Sequence, residues 1–347
     1  MSETAVDFDG QSLITGSLVR SSRLSPPSDD EPSRFEIASS QLFPILSAAE
    51  RAFMDGLEPN GIVERLAARL HTLRRSSSQA LWDAVVELAQ RHSIRRFLMQ
   101  DPLTHWSATK PRGYSGDAGL LDIYYKHPSM DHLLADCTPL GRAIYDYTSE
   151  VPACEAGRER CRILARTVDE AVERTGEGAQ IFAVAAGHLR EAEICGSLPA
   201  GRIARWVALD QDSVSVEVMA GAHPGSVVQP LNGSVLGLLR RSYDLGTFDL
   251  VYASGLYDYL QDKTAVKLLQ RLVEFLKPGG TLLFANFSDE IVSDGYMETF
   301  MDWPLILRSE ADMWRIVNAS VDRNLFEASV WYGANRNIVY ATLRRHG

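Results

Sequence analysis

The stretch Ile181-Phe182-Ala183-Val184-Ala185-Ala186-Gly187-His188-Leu189-Arg190-Glu191 decides the fold of the carboxy-terminal half. Its apolar start is typical of a short buried strand, and small residues follow at once. Small residues after a strand let the backbone turn tightly and let a helix amino terminus approach a ligand. The stretch therefore predicts a strand, a ligand-binding loop and a helix in succession.

Short apolar runs recur after this stretch and alternate with helical patterns. They lie at residues 203–209, 227–228, 248–253 and 281–287, about 20 to 33 residues apart. This alternation indicates βαβ units, and therefore a parallel sheet covered on both faces. After a helix from about Ser309, two last runs at 325–332 and 338–343 are joined by too few residues for a crossover helix. They predict an antiparallel hairpin at one edge of an α/β sheet.

The amino-terminal half has the period of helices. Ile62, Leu66, Leu70 and Leu73 recur every three or four residues, and helical patterns continue to about residue 147. Residues 1–34 are rich in acidic residues, serine and proline, and bury too little apolar surface to offset chain entropy. The sequence therefore predicts a flexible arm at 1–34, a helical cap or lid domain at 35–150 and an α/β domain at 151–347.

Length and charge narrow the classes of function. A chain of 347 residues with 45% apolar and 23% charged residues suits a two-domain globular protein. Its formal net charge of −10 repels phosphates and anionic lipids, so we expect a small-molecule substrate and neither nucleic acid nor membrane as a partner. The basic clusters, such as residues 158–166, are interpreted as solvated helix faces.

The sequence also bears on compartment and metals. No apolar run reaches the roughly 18 residues that span a bilayer, and acidic residues near Met1 are unlike a secretory leader. The 4 cysteines and 8 histidines show no metal-binding spacing. We therefore expect no metal, and a cytoplasmic protein in a reducing compartment.

Asp210 follows the second predicted strand, 23 residues after Gly187. An acid about 20 residues beyond a nucleotide loop is where a carboxylate holds ribose hydroxyls. Asp210 could equally cap the helix that begins near Ser213. Both interpretations remain open at this point.

Polar groups also follow the third and fourth strands. The turn around Asn232 and Gly233 can hydrogen-bond an adenine, and residues 252–259 bring hydroxyls, a carboxylate and aromatic rings to the substrate side. We expect catalytic roles for Tyr257 and Asp258, although each tyrosine here could also be a core residue. The expected cofactor-binding residues are Ala185, Ala186, Gly187, His188, Asp210, Gln211, Asn232, Gly233, Ser254 and Gly255.

The order of these features resembles class I S-adenosylmethionine-dependent methyltransferases. The resemblance rests on the loop, the acid, the polar turn, Phe248-Asp249-Leu250-Val251 and Lys277-Pro278-Gly279-Gly280, within about residues 178–345. It implies a seven-stranded Rossmann-like sheet with an antiparallel last strand, and S-adenosyl-L-methionine as cofactor. Ala185 and Leu189 depart from the family pattern, which has glycine at both positions.

A narrower resemblance covers both halves of the chain. Its motifs are Lys110-Pro111-Arg112-Gly113-Tyr114-Ser115-Gly116-Asp117, Gly187-His188-Leu189-Arg190-Glu191, Ser254-Gly255-Leu256-Tyr257-Asp258-Tyr259-Leu260, and Asp302-Trp303 with Arg308. They are similar to the group identified with 3-hydroxypalmitic acid methyl ester biosynthesis, whose members have a helical amino-terminal domain. The resemblance implies O-methylation of a carboxylate.

Two other functions fit the same sequence. A cyclase of the azetidine-2-carboxylic acid synthase type would turn the cofactor on itself and release methylthioadenosine. A regulator could bind the cofactor without catalysis. The sequence alone does not separate these functions, because each needs the same adenosine site.

The segment Arg112 to Asp117 interrupts the helical half with two glycines. We expect catalytic roles here: Arg112 would grip a carboxylate, Tyr114 would face the sulfonium, and the turn with Asp117 would fold over the cofactor. The alternative is a helix-breaking turn in which Asp117 caps the next helix. His188 likewise has two interpretations, as a general base or as a residue that packs the helix start.

Overall fold

The computed structural model describes residues 31–347, with side chains from residue 34 onward. These residues form two compact units. One unit, called here the helical unit, contains residues 31–158 and 290–305, and the other, the sheet unit, contains residues 159–289 and 306–347. The arm predicted at 1–34 lies outside the described residues as far as residue 30, and a helix begins at Glu31.

Helices occupy most of the first half of the described chain, as the apolar period predicts. They are α1 (Glu31–Met54), α2 (Pro59–Ser76), α3 (Gln79–Arg91), α4 (Arg95–Leu98), α5 (Pro102–Thr109), α6 (Ala118–Tyr125), α7 (Asp131–Ala135), α8 (Pro139–Thr148) and α9 (Pro152–Thr175). Proline begins four of these helices, where its missing N–H would have no partner within the helix. The compact units divide within α9.

Strands and helices alternate in the second half. The strands are β1 (Ala179–Val184), β2 (Ile203–Asp210), β3 (Val228–Asn232), β4 (Phe248–Ala253), β5 (Leu276–Phe287), β6 (Phe326–Tyr332) and β7 (Ile338–Arg345). The helices between them are α10 (Ser213–Ala222), α11 (Val235–Leu239), α12 (Asp262–Val273), α13 (Asp294–Thr299) and α14 (Glu310–Ser320). Short 3-10 turns lie at Arg190–Glu193 and Tyr257–Tyr259.

Within residues 31–347, the strands form one seven-stranded sheet in the order β3-β2-β1-β4-β5-β7-β6. Strands β1 to β5 pair in parallel, and β7 runs antiparallel to both β5 and β6. The predicted α/β fold, terminal hairpin and antiparallel last strand are confirmed. The strand order reverses between β1 and β4, and the carboxyl ends of neighbouring parallel strands are where α/β sheets bind ligands.

Two stretches with turn-forming residues belong to strands. Pro230 to Asn232 lie in β3, because β3 is an edge strand of the described sheet and an edge tolerates proline. Residues 276–280 begin β5, where the pairing register with β4 shifts and Gly279 has a φ of 79°. Glycine relieves this irregularity, so the turn chemistry of Pro278-Gly279-Gly280 is accommodated within the strand.

Residues 290–305 leave the sheet unit's part of the chain and pack in the helical unit. Trp82 Nε1 donates to Glu298 Oε2 at 2.8 Å, and Ser107 Oγ donates to the Met301 carbonyl oxygen at 2.8 Å. Gly295 lies so near Leu70 that a Cβ atom would be 2.5 Å from the Leu70 carbonyl carbon. The helical unit is therefore built from two separate stretches of sequence.

Candidate functional site

The loop after β1 has a left-handed backbone at three of its five positions. The φ angles are 53° at Ala185, 57° at Gly187 and 55° at Leu189. Ala185 and Leu189 are the positions where the family pattern has glycine, and each carries the strain of a side chain in this region, about 1–2 kcal/mol. The backbone at Ala185 and Leu189 thus has the left-handed conformation that glycine favours, although neither residue is glycine. The Ala186 amide donates to the Leu209 carbonyl oxygen at 3.1 Å, which fixes the loop to β2.

Asp210 ends β2 and joins three loops. Its Oδ2 accepts from the Gly187 amide at 2.7 Å, and its Oδ1 accepts from the Asp212 amide at 2.9 Å. Its carbonyl oxygen accepts from the Gly233 amide at 2.9 Å. Burial raises the pKa of the Asp210 carboxyl, against the effect of the two amides. Asp212, not Asp210, caps α10 through the Val214 amide, so the capping interpretation of Asp210 was wrong.

The end of β3 contacts the end of β2. Asn232 pairs with Asp210 in the sheet, and its Nδ2 donates to the Gln211 carbonyl oxygen at 3.4 Å. Gly233 leaves room for Tyr243, whose hydroxyl would lie 2.8 Å from a Cβ atom at that position. The small size of Gly233 is therefore explained by packing within the sheet unit.

The end of β4 carries a buried polar cluster. The Tyr252 hydroxyl donates to Glu191 Oε1 at 2.6 Å, and Arg160 Nη1 donates to the Ser254 carbonyl oxygen at 3.0 Å. A Cβ atom at Gly255, the next residue, would lie 3.8 Å from the two terminal nitrogens of Arg160. Burial raises the pKa of the Glu191 carboxyl, while Tyr252 and Arg160 oppose that rise.

Tyr257 and Asp258 lie in the buried turn after β4. The Tyr257 ring lies 4.4 Å from the Phe284 ring between centroids, and among the described residues its hydroxyl has no hydrogen-bond partner. Asp258 Oδ1 accepts from the Phe287 amide at 2.6 Å. Burial raises the pKa of the Asp258 carboxyl to about 6, and Arg160, the Phe287 amide and Arg308 oppose the rise.

Three buried charged residues of this region had no predicted role. Glu191 and Arg308 belong to motifs of the narrower family resemblance, but the sequence predicts no role for either side chain. Arg160 is 3% exposed, so the interpretation of residues 158–166 as a solvated face was wrong for this residue. The helical period of α9 shows which residues share a face of the helix. It does not show that the face with Arg160 is buried, and only the packing of the fold shows this.

The predicted residues of the amino-terminal half lie in the helical unit. Asp117 caps α6 through the Leu120 amide at 2.9 Å and accepts from Trp106 Nε1 at 3.0 Å. Burial raises the pKa of the Asp117 carboxyl, and the positive charge of Arg112 opposes this rise. Tyr114 is half-buried between Gly113 and Gly116, which have φ angles of 84° and 77°. The alternative interpretation, in which Asp117 caps the next helix, is confirmed, and the catalytic roles stay predictions.

His188 is 5% exposed, and its Nδ1 lies 3.4 Å from Arg190 Nη2. This position at the start of a 3-10 turn fits the packing interpretation of His188, and the general-base role stays a prediction. Across residues 31–347, no three His, Cys, Asp or Glu side chains are grouped so that they could hold a metal ion. In the same range no helix is long and apolar enough to cross a membrane.

Comparisons with known proteins give likeness of fold. No protein-family model matches the chain, and no curated protein matches it. A possible exported protein from Bordetella parapertussis is similar in structure, with a TM-score of 0.54, 16% identity, and coverage of 89% of this chain and 97% of that one. This likeness agrees with the α/β fold described above.

Two more distant structures are methyltransferases. The N-methyltransferase NodS from Bradyrhizobium japonicum, in complex with S-adenosyl-L-homocysteine, has a TM-score of 0.39 at 16% identity, covering 65% of this chain and 99% of that one. An amino pentose methyltransferase from Micromonospora echinaspora with bound S-adenosylmethionine has a TM-score of 0.38 at 16% identity, covering 53% and 90%.

Proposed function

We propose that the chain is an S-adenosylmethionine-dependent methyltransferase that acts on the carboxylate of a small molecule. The observation that carries the proposal is the carboxylate of Asp210 at the carboxyl end of β2, joined by hydrogen bond to the loop after β1. A carboxylate at this place in a parallel α/β sheet is suited to hold ribose hydroxyls.

The carboxylate of Asp210 can accept two hydrogen bonds from a ligand in addition to its two bonds from backbone amides. Each carboxylate oxygen accepts one backbone amide, from Gly187 and from Asp212. A carboxylate oxygen has two lone pairs, so each oxygen can accept one more donor. Two adjacent ribose hydroxyls supply two donors. Asp210 would therefore hold the sugar while its amide contacts keep the loop in place.

The turn after β4 supplies groups suited to a cation. When bound, S-adenosylmethionine supplies an activated methyl group on a positively charged sulfur. We infer that Tyr257 and Asp258 face this charge, because an aromatic face and a buried carboxylate both stabilise cations. Their burial excludes water, which strengthens such electrostatic contacts.

A carboxylate acceptor is consistent with the groups at this edge of the sheet. A carboxylate is already ionised at neutral pH, so its attack needs alignment and no general base. Arg160 brings a buried guanidinium to the carbonyl oxygen of Ser254. Its positive charge favours an anionic group beside the turn after β4.

Mass spectrometry of the purified protein with S-adenosylmethionine is the first test. With 3-hydroxy fatty acids present, we expect S-adenosylhomocysteine and a methyl ester. Methylthioadenosine formed without any acceptor would instead indicate the cyclase. If the protein binds S-adenosylmethionine tightly but turns over none of the carboxylate acceptors, it is a regulator, and the proposed methyltransferase activity is wrong.

Calorimetric binding tests the role of Asp210. Asp210→Asn should weaken S-adenosylmethionine binding by roughly ten- to a hundredfold, since a hydrogen bond to a charged acceptor is worth about 1.5–3 kcal/mol. Asp212→Asn is the matched control, because asparagine also caps helices well. Equal affinities of the two variants would argue against the ribose contact.

The proposal extends to Arg112 and Tyr114 on the basis of the sequence. Arg112→Ala should lower activity by loss of a bidentate contact to a carboxylate, and Tyr114→Leu should weaken cofactor binding by loss of the aromatic face. Variants that keep full activity and full cofactor affinity would remove these two residues from the site.

A further inference from the structure

Arg308 is a buried charge that the proposed reaction does not use. Its side chain is 1% exposed, although it is among the largest side chains of the sheet unit. An isolated guanidinium in the interior is costly unless acceptors surround it. Arg308 has such acceptors, and their identity indicates what the residue does.

Two of the four acceptors of Arg308 belong to the turn after β4. Its Nη1 donates to the Tyr257 carbonyl oxygen at 2.6 Å and to Asn286 Oδ1 at 2.6 Å. Its Nη2 donates to the Leu260 carbonyl oxygen and to Asp262 Oδ1, the latter at 3.0 Å. The carbonyl groups of residues 257 and 260 lie on either side of Asp258, so one guanidinium fixes both ends of this turn.

Backbone groups of the residues next to Arg308 also contact the turn after β4 and the end of β5. The Ile306 amide donates to the Asp258 carbonyl oxygen at 2.7 Å, and the Arg308 amide donates to the Phe287 carbonyl oxygen at 3.0 Å. Asn286 Nδ2 donates to the Ile306 carbonyl oxygen at 2.7 Å. The end of β5 and residues 306–308 are therefore joined to each other and to the turn at Tyr257 and Asp258 by hydrogen bonds.

We propose that Arg308 is a positioning residue that holds the backbone of residues 257–260, so that Tyr257 and Asp258 keep the orientation in which they meet the cofactor. The inference rests on the proposed function for its consequence in binding. Arginine suits the task because its planar fork reaches several acceptors in fixed directions. Lysine keeps the charge and loses the fork.

The charge of Arg308 acts on both side chains that it positions. Burial raises the pKa of Tyr257 and of Asp258, and Arg308 opposes the rise in each case. Loss of the positive charge at Arg308 should therefore raise the pKa of Asp258 in the folded protein. A loss of stability alone would leave that pKa unchanged.

The test is the titration of Asp258 by carbon NMR in full-length protein labelled at aspartate carboxyl carbons, with Asp258→Asn to assign the signal. Arg308→Lys keeps the charge and loses the fork, so it should leave the pKa of Asp258 close to the wild-type value and weaken S-adenosylmethionine binding roughly tenfold. Arg315→Lys, the same change at a side chain that is 63% exposed, is the control and should alter neither quantity.

Arg308→Gln provides a second variant that lacks both the charge and the fork, and this variant should raise the pKa of Asp258 above the wild-type value. Folded variants with the wild-type Asp258 titration and wild-type affinity would overturn the inference. If wild-type protein does not bind S-adenosylmethionine, the proposed function fails, and the role of Arg308 is then decided by the backbone amide signals of residues 257–260, which should shift in Arg308→Lys and stay unchanged in Arg315→Lys.

Discussion

The Tyr257 hydroxyl is buried and, within residues 31–347, has no hydrogen-bond partner. Such a group costs about 1–3 kcal/mol of desolvation, so Tyr257→Phe should raise the free energy of unfolding by about 1 kcal/mol. The same change should weaken S-adenosylmethionine binding if the hydroxyl serves the ligand. Urea unfolding and calorimetry, on the same preparations, measure the two effects.

Tyr145→Phe is the matched control for this change. The Tyr145 hydroxyl is also buried, but it donates to the Ile123 carbonyl oxygen at 2.8 Å. Its removal should lower the free energy of unfolding by about 1 kcal/mol. Destabilisation by both variants to the same degree would mean that the Tyr257 hydroxyl has a structural partner.

We predict that Asp258 makes cofactor binding dependent on pH. Its pKa is raised by burial to about 6, so the carboxyl is neutral below that pH and negative above it. A negative carboxylate attracts the sulfonium, so affinity for S-adenosylmethionine should rise from pH 5 to pH 7 by roughly tenfold. S-Adenosylhomocysteine, which lacks the charge on sulfur, should show a much smaller rise.

Asp258→Asn should abolish this difference between the two ligands. The asparagine oxygen can still accept from the Phe287 amide, so the turn should keep its shape. Calorimetry across the pH range measures both ligands with both proteins. A variant with the pH dependence of wild type would exclude Asp258 as its source.

At the level of elements, Gly295 lets α13 pack closely against α2. A Cβ atom at Gly295 would lie 2.5 Å from the Leu70 carbonyl carbon, and backbone atoms there cannot yield as a flexible side chain does. Gly295→Ala should lower the free energy of unfolding by about 1–3 kcal/mol. Urea unfolding followed by circular dichroism measures the loss.

Gly221→Ala provides the control, since Gly221 also lies in a helix. Nothing lies within 4 Å of a Cβ atom at Gly221. Alanine there should stabilise the protein by up to about 1 kcal/mol, because alanine favours helix more than glycine. The changes in the free energy of unfolding should therefore have opposite signs in Gly295→Ala and Gly221→Ala. Changes of the same sign would contradict the close packing of α13.

The elements of the sheet unit were predictable where their patterns are local. The apolar runs of β1 and β4 and the short link between β6 and β7 are local signals, so the existence of β1 and β4 and the pairing of β6 with β7 followed from the sequence. Helix α13 has only six residues and shows no full helical period, so no pattern marks it as part of another unit. The contacts of Glu298 with Trp82 join residues 216 positions apart, and no short-range pattern predicts them.

The candidate site was predictable to a similar extent. Asp210 and the loop at Gly187 were found because both follow strands that recur in one order. The sequence predicted no role for Glu191, Arg160 and Arg308. Their burial depends on which side of a helix or loop faces the interior. A single sequence gives the period of a helix and leaves the burial of an arginine on it open.

At the level of the whole molecule, the helical unit needs residues 290–305. Trp82, Thr104 and Ser107 hydrogen-bond to this segment through Glu298, Tyr296 and Met301, respectively. A fragment of residues 31–158 lacks these partners and should unfold without cooperativity. The same fragment followed by a glycine-serine linker and residues 290–305 should melt cooperatively, because the buried polar groups regain their partners.

Thermal unfolding of the two fragments, followed by circular dichroism, measures this difference. A third fragment with the segment in reversed order controls for added length and composition. Cooperative melting of all three would show that residues 31–158 fold alone and that the segment is dispensable. Cooperativity confined to the native order would instead define a discontinuous domain, whose stability depends on a segment that lies between β5 and α14 in the sequence.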